Sequence, residues 1–277
     1  MRLVVDSNKL RSTDLDVFLQ ARMSNFAVLT DFVAMEAYKG DTLIGIHKSL
    51  EIVSRYPSQV IVLKNSVHAC KLSGRRKALQ KRLIDKSQTT GFSLFVERLL
   101  MAKNGHLAYE EEILAKGHDA DEHFTKMLNE AITMKPAMEE LGREYSKMER
   151  RALRDKRDYT PDLAEKIITT VLEIAGWMYQ DSPHVKSMPY SHELPNTYPF
   201  RYCLACYLLV LNRVSQGGVL GTAPSKLRND FADMGIVAYA TFFDGLMTSD
   251  QRMSELFYET STILKRIFNA EVPYLEK

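Results

Sequence analysis

Cysteine is scarce in this 277-residue chain, which contains only Cys70, Cys203 and Cys206. An odd and small number of cysteines excludes a disulfide-framed secreted scaffold and favours a reducing compartment. Long apolar runs are also lacking. The longest, residues 203–211, is much shorter than the about 20 residues that a membrane-spanning helix needs. We therefore expect no membrane segment.

An excess of charge of one sign is also nearly absent, since the net charge is only +2. A global field that attracts nucleic acid is therefore excluded, and contact with a polyanion would have to come from local patches. The first ten residues place an acid after only three apolar residues, which does not resemble a secretory signal. We expect a globular, cytoplasmic protein.

Two short β-branched runs without alternation, residues 2–6 and 60–64, are typical of strands buried on both faces. Residues 245–248 form a weaker third candidate. Helical patterns lie between the first two strands, at residues 13–23, 31–38 and 43–55. This alternation of strands and helices predicts an α/β fold with a parallel sheet.

The middle of the chain is helical and shows no strand pattern. Its clearest helix begins near Pro161, after the capping residue Thr160. Loops are predicted at residues 180–200, which contain four prolines, and at residues 215–225. The sequence thus predicts a core whose halves, residues 1–84 and 215–277, are separated by a helical insertion at residues 85–214.

Carboxylates accompany the apolar segments of both predicted core halves. Asp6 ends the first strand, and ligands bind beyond the carboxyl ends of strands in open parallel sheets. Glu36 lies on an early helix. Asp230 and Asp233 are three residues apart on a late helix, and Asp250 follows the last strand candidate. We expect these acids to converge. Such a set of oxygen ligands suits Mg²⁺ or Mn²⁺, and two such ions can promote hydrolysis of a phosphodiester.

The same residues carry a family resemblance. The segments "LVVDSN" from Leu3, "NDFADMGIVAYA" from Asn229 and "DGLMTSDQRM" from Asp244, together with a helical Glu36, resemble the PIN-domain ribonucleases. The resemblance covers about half of the chain, and the helical insertion has no counterpart in a minimal PIN domain. It implies a PIN-like α/β/α sandwich around a central parallel sheet.

The resemblance also implies roles for individual residues. It matches Asp6, Glu36, Asp233 and Asp250 to the catalytic metal-binding quartet, leaves Asp230 as an extra or substitute ligand, and matches Ser7, Asn8 and Thr248 to supporting polar positions. The implied activity is a Mg²⁺- or Mn²⁺-dependent endoribonuclease that cuts single-stranded or loop RNA. A toxin or defence effector, held by an inhibitory or sensor protein, is the implied setting. The oligomeric state stays open, a homo-oligomer included.

Other interpretations of the acids stay open. Asp250 suits the cap of a following helix, and Asp230 and Asp233 suit the first turns of their own helix. A DNA structure-specific nuclease would use the same acids. An inactive PIN-like scaffold whose insertion binds a protein would not use them at all.

One basic run, residues 71–86, contains seven cations against the single acid Asp85. We predict nucleic-acid phosphate contacts there that are sequence-independent and weakened by salt. The predicted contact residues are Arg75, Arg76, Lys77, Lys81 and Arg82. A second basic run at residues 143–159 is mixed with acids.

Overall fold

A four-stranded, fully parallel sheet organises the computed structural model, which describes residues 1–40, 42–155, 160–181, 188–218 and 221–276. The strands are β1 (Arg2–Val5), β2 (Phe26–Leu29), β3 (Val60–Val62) and β4 (Gly245–Met247). Their order in the sheet is β3-β2-β1-β4. Because all pairs are parallel, the four carboxyl ends lie at one edge of the sheet. The predicted α/β class with a parallel sheet is confirmed.

Helices make up most of the remaining described chain. In chain order they are α1 (Thr13–Ala21), α2 (Asp31–Ala37), α3 (Thr42–Ser54), α4 (Ser66–Cys70), α5 (Leu79–Leu83), α6 (Lys86–Thr90), α7 (Phe92–Lys103), α8 (Leu107–Arg143), α9 (Lys147–Asp155), α10 (Pro161–Asp181), α11 (Tyr198–Ser215), α12 (Pro224–Ala240) and α13 (Gln251–Arg266). No helix among the described residues is both long and apolar enough to cross a membrane.

Most predicted elements are confirmed, often to within two residues. Helix α10 begins at Pro161 as expected, and Thr160 caps it by accepting a hydrogen bond from the Leu163 amide. Two differences stand out. Strand β2 was missed, because a run of only four apolar residues between helices has no periodicity that separates a strand from a helix. The predicted loop at 180–200 is also too long, since α11 begins at Tyr198. Parts of three predicted segments lie outside the described residues. They are residues 156–159 of the second basic run, and residues 182–187 and 219–220 of the two predicted loops.

Arg201 on α11 ties the predicted insertion to the predicted core. Its side chain is fully buried, and its guanidinium donates to the carbonyls of Thr241 and Glu271 at 2.8 and 2.7 Å. It also lies 3.7 Å from the centroid of the Phe242 ring. Helix α11 packs against α12 and α13 as well. The last helix of the predicted insertion is therefore packed against the predicted core.

Candidate metal centre

Asp6 lies at the carboxyl end of β1, in the middle of the sheet edge. It is buried, and Thr248 Oγ1 donates a 2.7 Å hydrogen bond to its Oδ2. Its amide donates to the Met247 carbonyl at 2.9 Å, which continues the ladder between β1 and β4. Burial raises the pKa of the Asp6 carboxyl, the charge of Asp250 acts in the same direction, and the hydrogen bond from Thr248 opposes them. Asp6 is thus held rigidly where a negative charge is costly.

The loop after β4 is fastened to the loop after β1. Asn8 Oδ1 accepts from the Ser249 amide at 3.0 Å, and Asn8 Nδ2 donates to Thr248 Oγ1 at 3.3 Å. Thr248 Oγ1 in turn accepts from the Asp250 amide at 3.0 Å. Ser7 Oγ also contacts Asp6 Oδ1, at 3.5 Å. Ser7 and Thr248 therefore contact Asp6 directly, and Asn8 contacts Thr248.

Asp250 caps a helix and also acts electrostatically on Asp6. Its Oδ1 accepts from the Met253 amide at 3.0 Å, so it caps α13 as the alternative interpretation held. Its charge nevertheless acts on Asp6. Capping uses one carboxylate oxygen and fixes the side chain beside Asp6, so it does not exclude a ligand role.

Asp233 on α12 is the most perturbed acid of the group. Its pKa is raised to about 8, first by burial and then by the charges of Asp6, Glu36 and Asp230, while Arg252 opposes the shift. Glu36 is contributed by α2. Four separate segments of the chain thus bring acids into electrostatic contact. We refer to Asp6, Glu36, Asp233 and Asp250 as the acidic cluster.

Asp230 has different surroundings from Asp233, although both lie on α12. Its Oδ1 accepts from Arg252 at 2.6 Å, and its Oδ2 accepts from Arg213. Its side chain is only 2% exposed. Two cations therefore compensate this buried charge, whereas only Arg252 opposes the burial and acidic neighbours of Asp233. The sequence provided no signal for the role of either arginine, because both contacts join different helices.

The close approach of α2 and α12 depends on Gly235. A Cβ atom at this position would lie 2.3 Å from Cε2 of Phe32, a buried ring on α2. Phe32 and Glu36 are four residues apart and share one face of α2. A glycine at 235 therefore lets α12 approach the face of α2 that presents Glu36.

We expect Gly235→Ala to lower the free energy of unfolding by about 1–2 kcal/mol, since overpacking outweighs the gain in helix propensity. It should also reduce any thermal stabilisation by Mn²⁺. Gly176→Ala in α10 is the matched control, because nothing lies within 4 Å of its added Cβ. Urea unfolding should show a neutral or stabilising effect for the control. Equal effects of the two substitutions would contradict the packing argument.

As the side chains stand, no group of three or more His, Cys, Asp or Glu residues in the described part of the chain is arranged to hold a metal ion. The chemistry of the donors still fits a hard cation. All four members of the acidic cluster offer carboxylate oxygens. The charges of Asp6 and Glu36 raise the pKa of Asp233, and the charge of Asp250 raises that of Asp6. A divalent ion would relieve that repulsion.

The basic run at residues 71–86 is located elsewhere. Arg76 Nη2 donates to the Asn269 carbonyl at 2.7 Å, and Gln80 accepts from Arg2 at the first residue of β1. Arg82 is half-buried and donates to the Ser73 carbonyl at 2.7 Å. The contact between Gln80 and Arg2 lies at the amino end of β1, about 13 Å along the strand from Asp6. Farther along the run, Leu83 and Asp85 pair with Lys64 and Val62 at the carboxyl end of β3. The exposed residues Arg75, Arg76, Lys77 and Lys81 are therefore not part of the acidic cluster, and their phosphate contacts stay a prediction.

The chain was compared with models of known protein families, with curated proteins and with solved structures, and none of the three comparisons found a match.

Proposed function

We propose that this chain is a PIN-type, metal-dependent endoribonuclease. The observation that carries the proposal is the convergence of acids on Asp233, whose pKa is raised to about 8. Neighbouring acids that lack compensating cations destabilise the ligand-free fold, and a bound metal ion would compensate their charge. Such perturbed acids are typical of functional sites. The order of elements adds support, with an Asp after β1, a Glu on α2, an Asp on α12 and Thr-x-Asp after β4.

In this proposal the acidic cluster holds one or two Mg²⁺ or Mn²⁺ ions. When bound, these ions supply Lewis-acid chemistry, which activates a water and stabilises the leaving oxygen of a phosphodiester. Thr248 holds Asp6 in place by its hydrogen bond, and the cap on α13 fixes Asp250. Asp233 and Glu36 are contributed by the neighbouring helices α12 and α2.

Arg252 is a further residue of the proposed site. Its guanidinium pairs with Asp230, yet 31% of its side chain is exposed. It also acts electrostatically on Asp233. We assign to Arg252 a contact with the substrate phosphate next to the metal ligands, since a guanidinium can bind a carboxylate and a phosphate oxygen at once. The setting as a toxin or defence effector with an inhibitory or sensor protein rests on the resemblance alone.

The test is cleavage of labelled single-stranded RNA, single-stranded DNA and hairpins in Mn²⁺, Mg²⁺ or EDTA. Wild type, Asp233→Asn and the exposed-acid control Asp121→Asn are assayed together. We expect RNA to be cut with metal by wild type and control only. Metal-dependent cutting of DNA alone would instead identify a DNA nuclease. No cleavage together with no thermal shift in Mn²⁺ would contradict the proposal and favour a scaffold that binds a protein.

A further inference from the structure

A cavity lies at the carboxyl ends of β2 and β3, and none of the residues of the acidic cluster lines it. Its volume is about 730 Å³, and its walls come from α2, α3, α7 and α8. This volume falls within the range of about 300–1,000 Å³ that is usual for small-molecule sites. The cavity is therefore large enough for a nucleotide-sized ligand.

The wall of this cavity is largely apolar and includes an aromatic ring. Phe95 on α7 and Leu50 on α3 line it, together with Ala34 on α2. Ala34 is exposed in spite of its position among packed helices, because it faces this opening. A flat apolar body, such as a nucleobase, can stack against such a surface.

Asp31 provides hydrogen-bond acceptors within the apolar lining. Its Oδ2 accepts from the Ser66 amide at 2.7 Å, and its Oδ1 accepts from the Phe32 amide at 3.1 Å. Burial raises the pKa of the Asp31 carboxyl, and the hydrogen bonds from Ser66 and Phe32 oppose that shift. When ionised, the carboxylate has about four acceptor sites, more than these hydrogen bonds use. Two acceptors side by side complement a ligand with two adjacent N–H donors. The N1–H and the N2 amino group of guanine have that arrangement.

Two cations, Arg98 and Lys116, lie together at one part of the cavity rim. Arg98 and Lys116 share a single acid, Glu112, at 3.7 and 2.9 Å, so the three side chains together carry one net positive charge. All three are more than 40% exposed. Asp119 and His123 lie farther along α8, so the positive charge is confined to the part of the lining that holds Arg98 and Lys116. That part of the rim suits a phosphate, whereas a guanidinium or ammonium ligand would be drawn to the acids of the lining.

Helix α2 connects this cavity to the acidic cluster. The register that pairs Val4 with Val28 brings Asp6 next to Thr30, and Thr30 lines the cavity. Adjacent strands are about 4.8 Å apart. Asp31 at the start of α2 faces the cavity, and Glu36 on the same helix acts on Asp233. A nucleotide in the cavity would thus lie one strand away from the proposed cleavage site.

We propose that this cavity binds a guanine nucleotide, with the base on Asp31 and the phosphate at Arg98 and Lys116. The guanine comes either from the RNA strand held at the acidic cluster or from a free nucleotide. The first source rests on the proposed ribonuclease function, and the second does not.

Calorimetry with the full-length chain tests the site directly. GMP should bind wild type about tenfold or more tightly than AMP or IMP, since IMP lacks the N2 amino group. Asp31→Asn should remove the preference for GMP over IMP while its side-chain oxygen can still accept from Ser66. Ala34→Trp should fill the cavity and abolish binding. The matched control Asp121→Asn removes an exposed acid of α8 that does not line the cavity, and it should keep the preference for GMP.

A second arm identifies the source of the guanine. Short RNAs with guanosine or inosine at one position are titrated into Asp233→Asn, which cannot cleave them under the proposed function. A guanosine preference seen only with RNA would assign the cavity to the substrate strand, and a preference seen with GMP would add free nucleotide as a ligand. The absence of a guanine preference in both arms, or binding of an N-acetylarginine amide instead, would overturn the proposal. A chain that binds GMP but cuts no RNA would refute only the proposed ribonuclease function.

Discussion

Asp233→Asn is expected to raise the melting temperature of the metal-free protein by about 5 °C. The reason is that burial and the charges of Asp6, Glu36 and Asp230 all disfavour an ionised carboxylate at this position, with only Arg252 opposing them. An amide of nearly the same shape removes the charge and keeps the packing. Differential scanning calorimetry in EDTA at pH 8 measures the effect. A clear fall in the melting temperature would show that Asp233 makes a stabilising contact as a carboxylate.

The same substitution should change the response to metal and the activity. Mn²⁺ should raise the melting temperature of wild type, because binding to the folded state alone stabilises it, and should leave the variant almost unchanged. RNA cleavage should fall more than about 100-fold. Mutating a residue that only hydrogen-bonds to a metal ligand usually costs about 10- to 100-fold in activity, and loss of a ligand itself should cost more. Asp121→Asn, on the exposed face of α8, should behave as wild type in both assays.

The difference in melting temperature between Asp233→Asn and wild type in the metal-free state should depend on pH. The pKa of Asp233 is about 8 in the folded protein and near its ordinary value of 3.8 in the unfolded chain. Between these values the folded state binds more protons than the unfolded state, so Asp233 makes the metal-free protein less stable as the pH rises. Asparagine does not titrate. The difference in melting temperature between the variant and wild type should therefore widen from pH 5 to pH 8 in EDTA, and a constant difference would contradict the assigned pKa.

Local sequence patterns predicted part of this fold and site. The resemblance matches Ser7, Asn8 and Thr248 to supporting positions. In the structure Ser7 and Thr248 contact Asp6, and Asn8 contacts Thr248, because these residues lie in the loops that follow β1 and β4. Strand β2 was not predicted, since its four apolar residues have no distinguishing period. The basic run was predicted from charge alone, and charge does not indicate which end of the sheet a segment will cover.

The choice between Asp230 and Asp233 shows most clearly what the sequence leaves open. The two acids are three residues apart on one helix, so local patterns treat them alike. What separates them is a pair of arginines on other helices, 17 and 22 residues away along the chain. Such contacts depend on the packing of α11, α12 and α13. They cannot be read from the spacing of the acids.

Asp230→Asn is therefore expected to have the opposite effect to Asp233→Asn. The carboxylate of Asp230 is buried between Arg213 and Arg252, and its removal leaves two cations facing each other around an amide. Breaking a buried ion pair by removing one partner costs about 3–5 kcal/mol. In a protein of this size that corresponds to a loss of roughly 10 °C in melting temperature.

Urea unfolding in EDTA compares the two variants under one condition. They share the same chemical change on the same helix, so helix propensity and loss of one acid cancel between them. The double variant Asp230→Asn with Arg252→Gln should recover part of the lost stability, because one of the two uncompensated cations is removed. If Asp230→Asn instead stabilised the protein, the arginines would not compensate its charge. Asp230 would then belong with the acidic cluster, as an additional ligand.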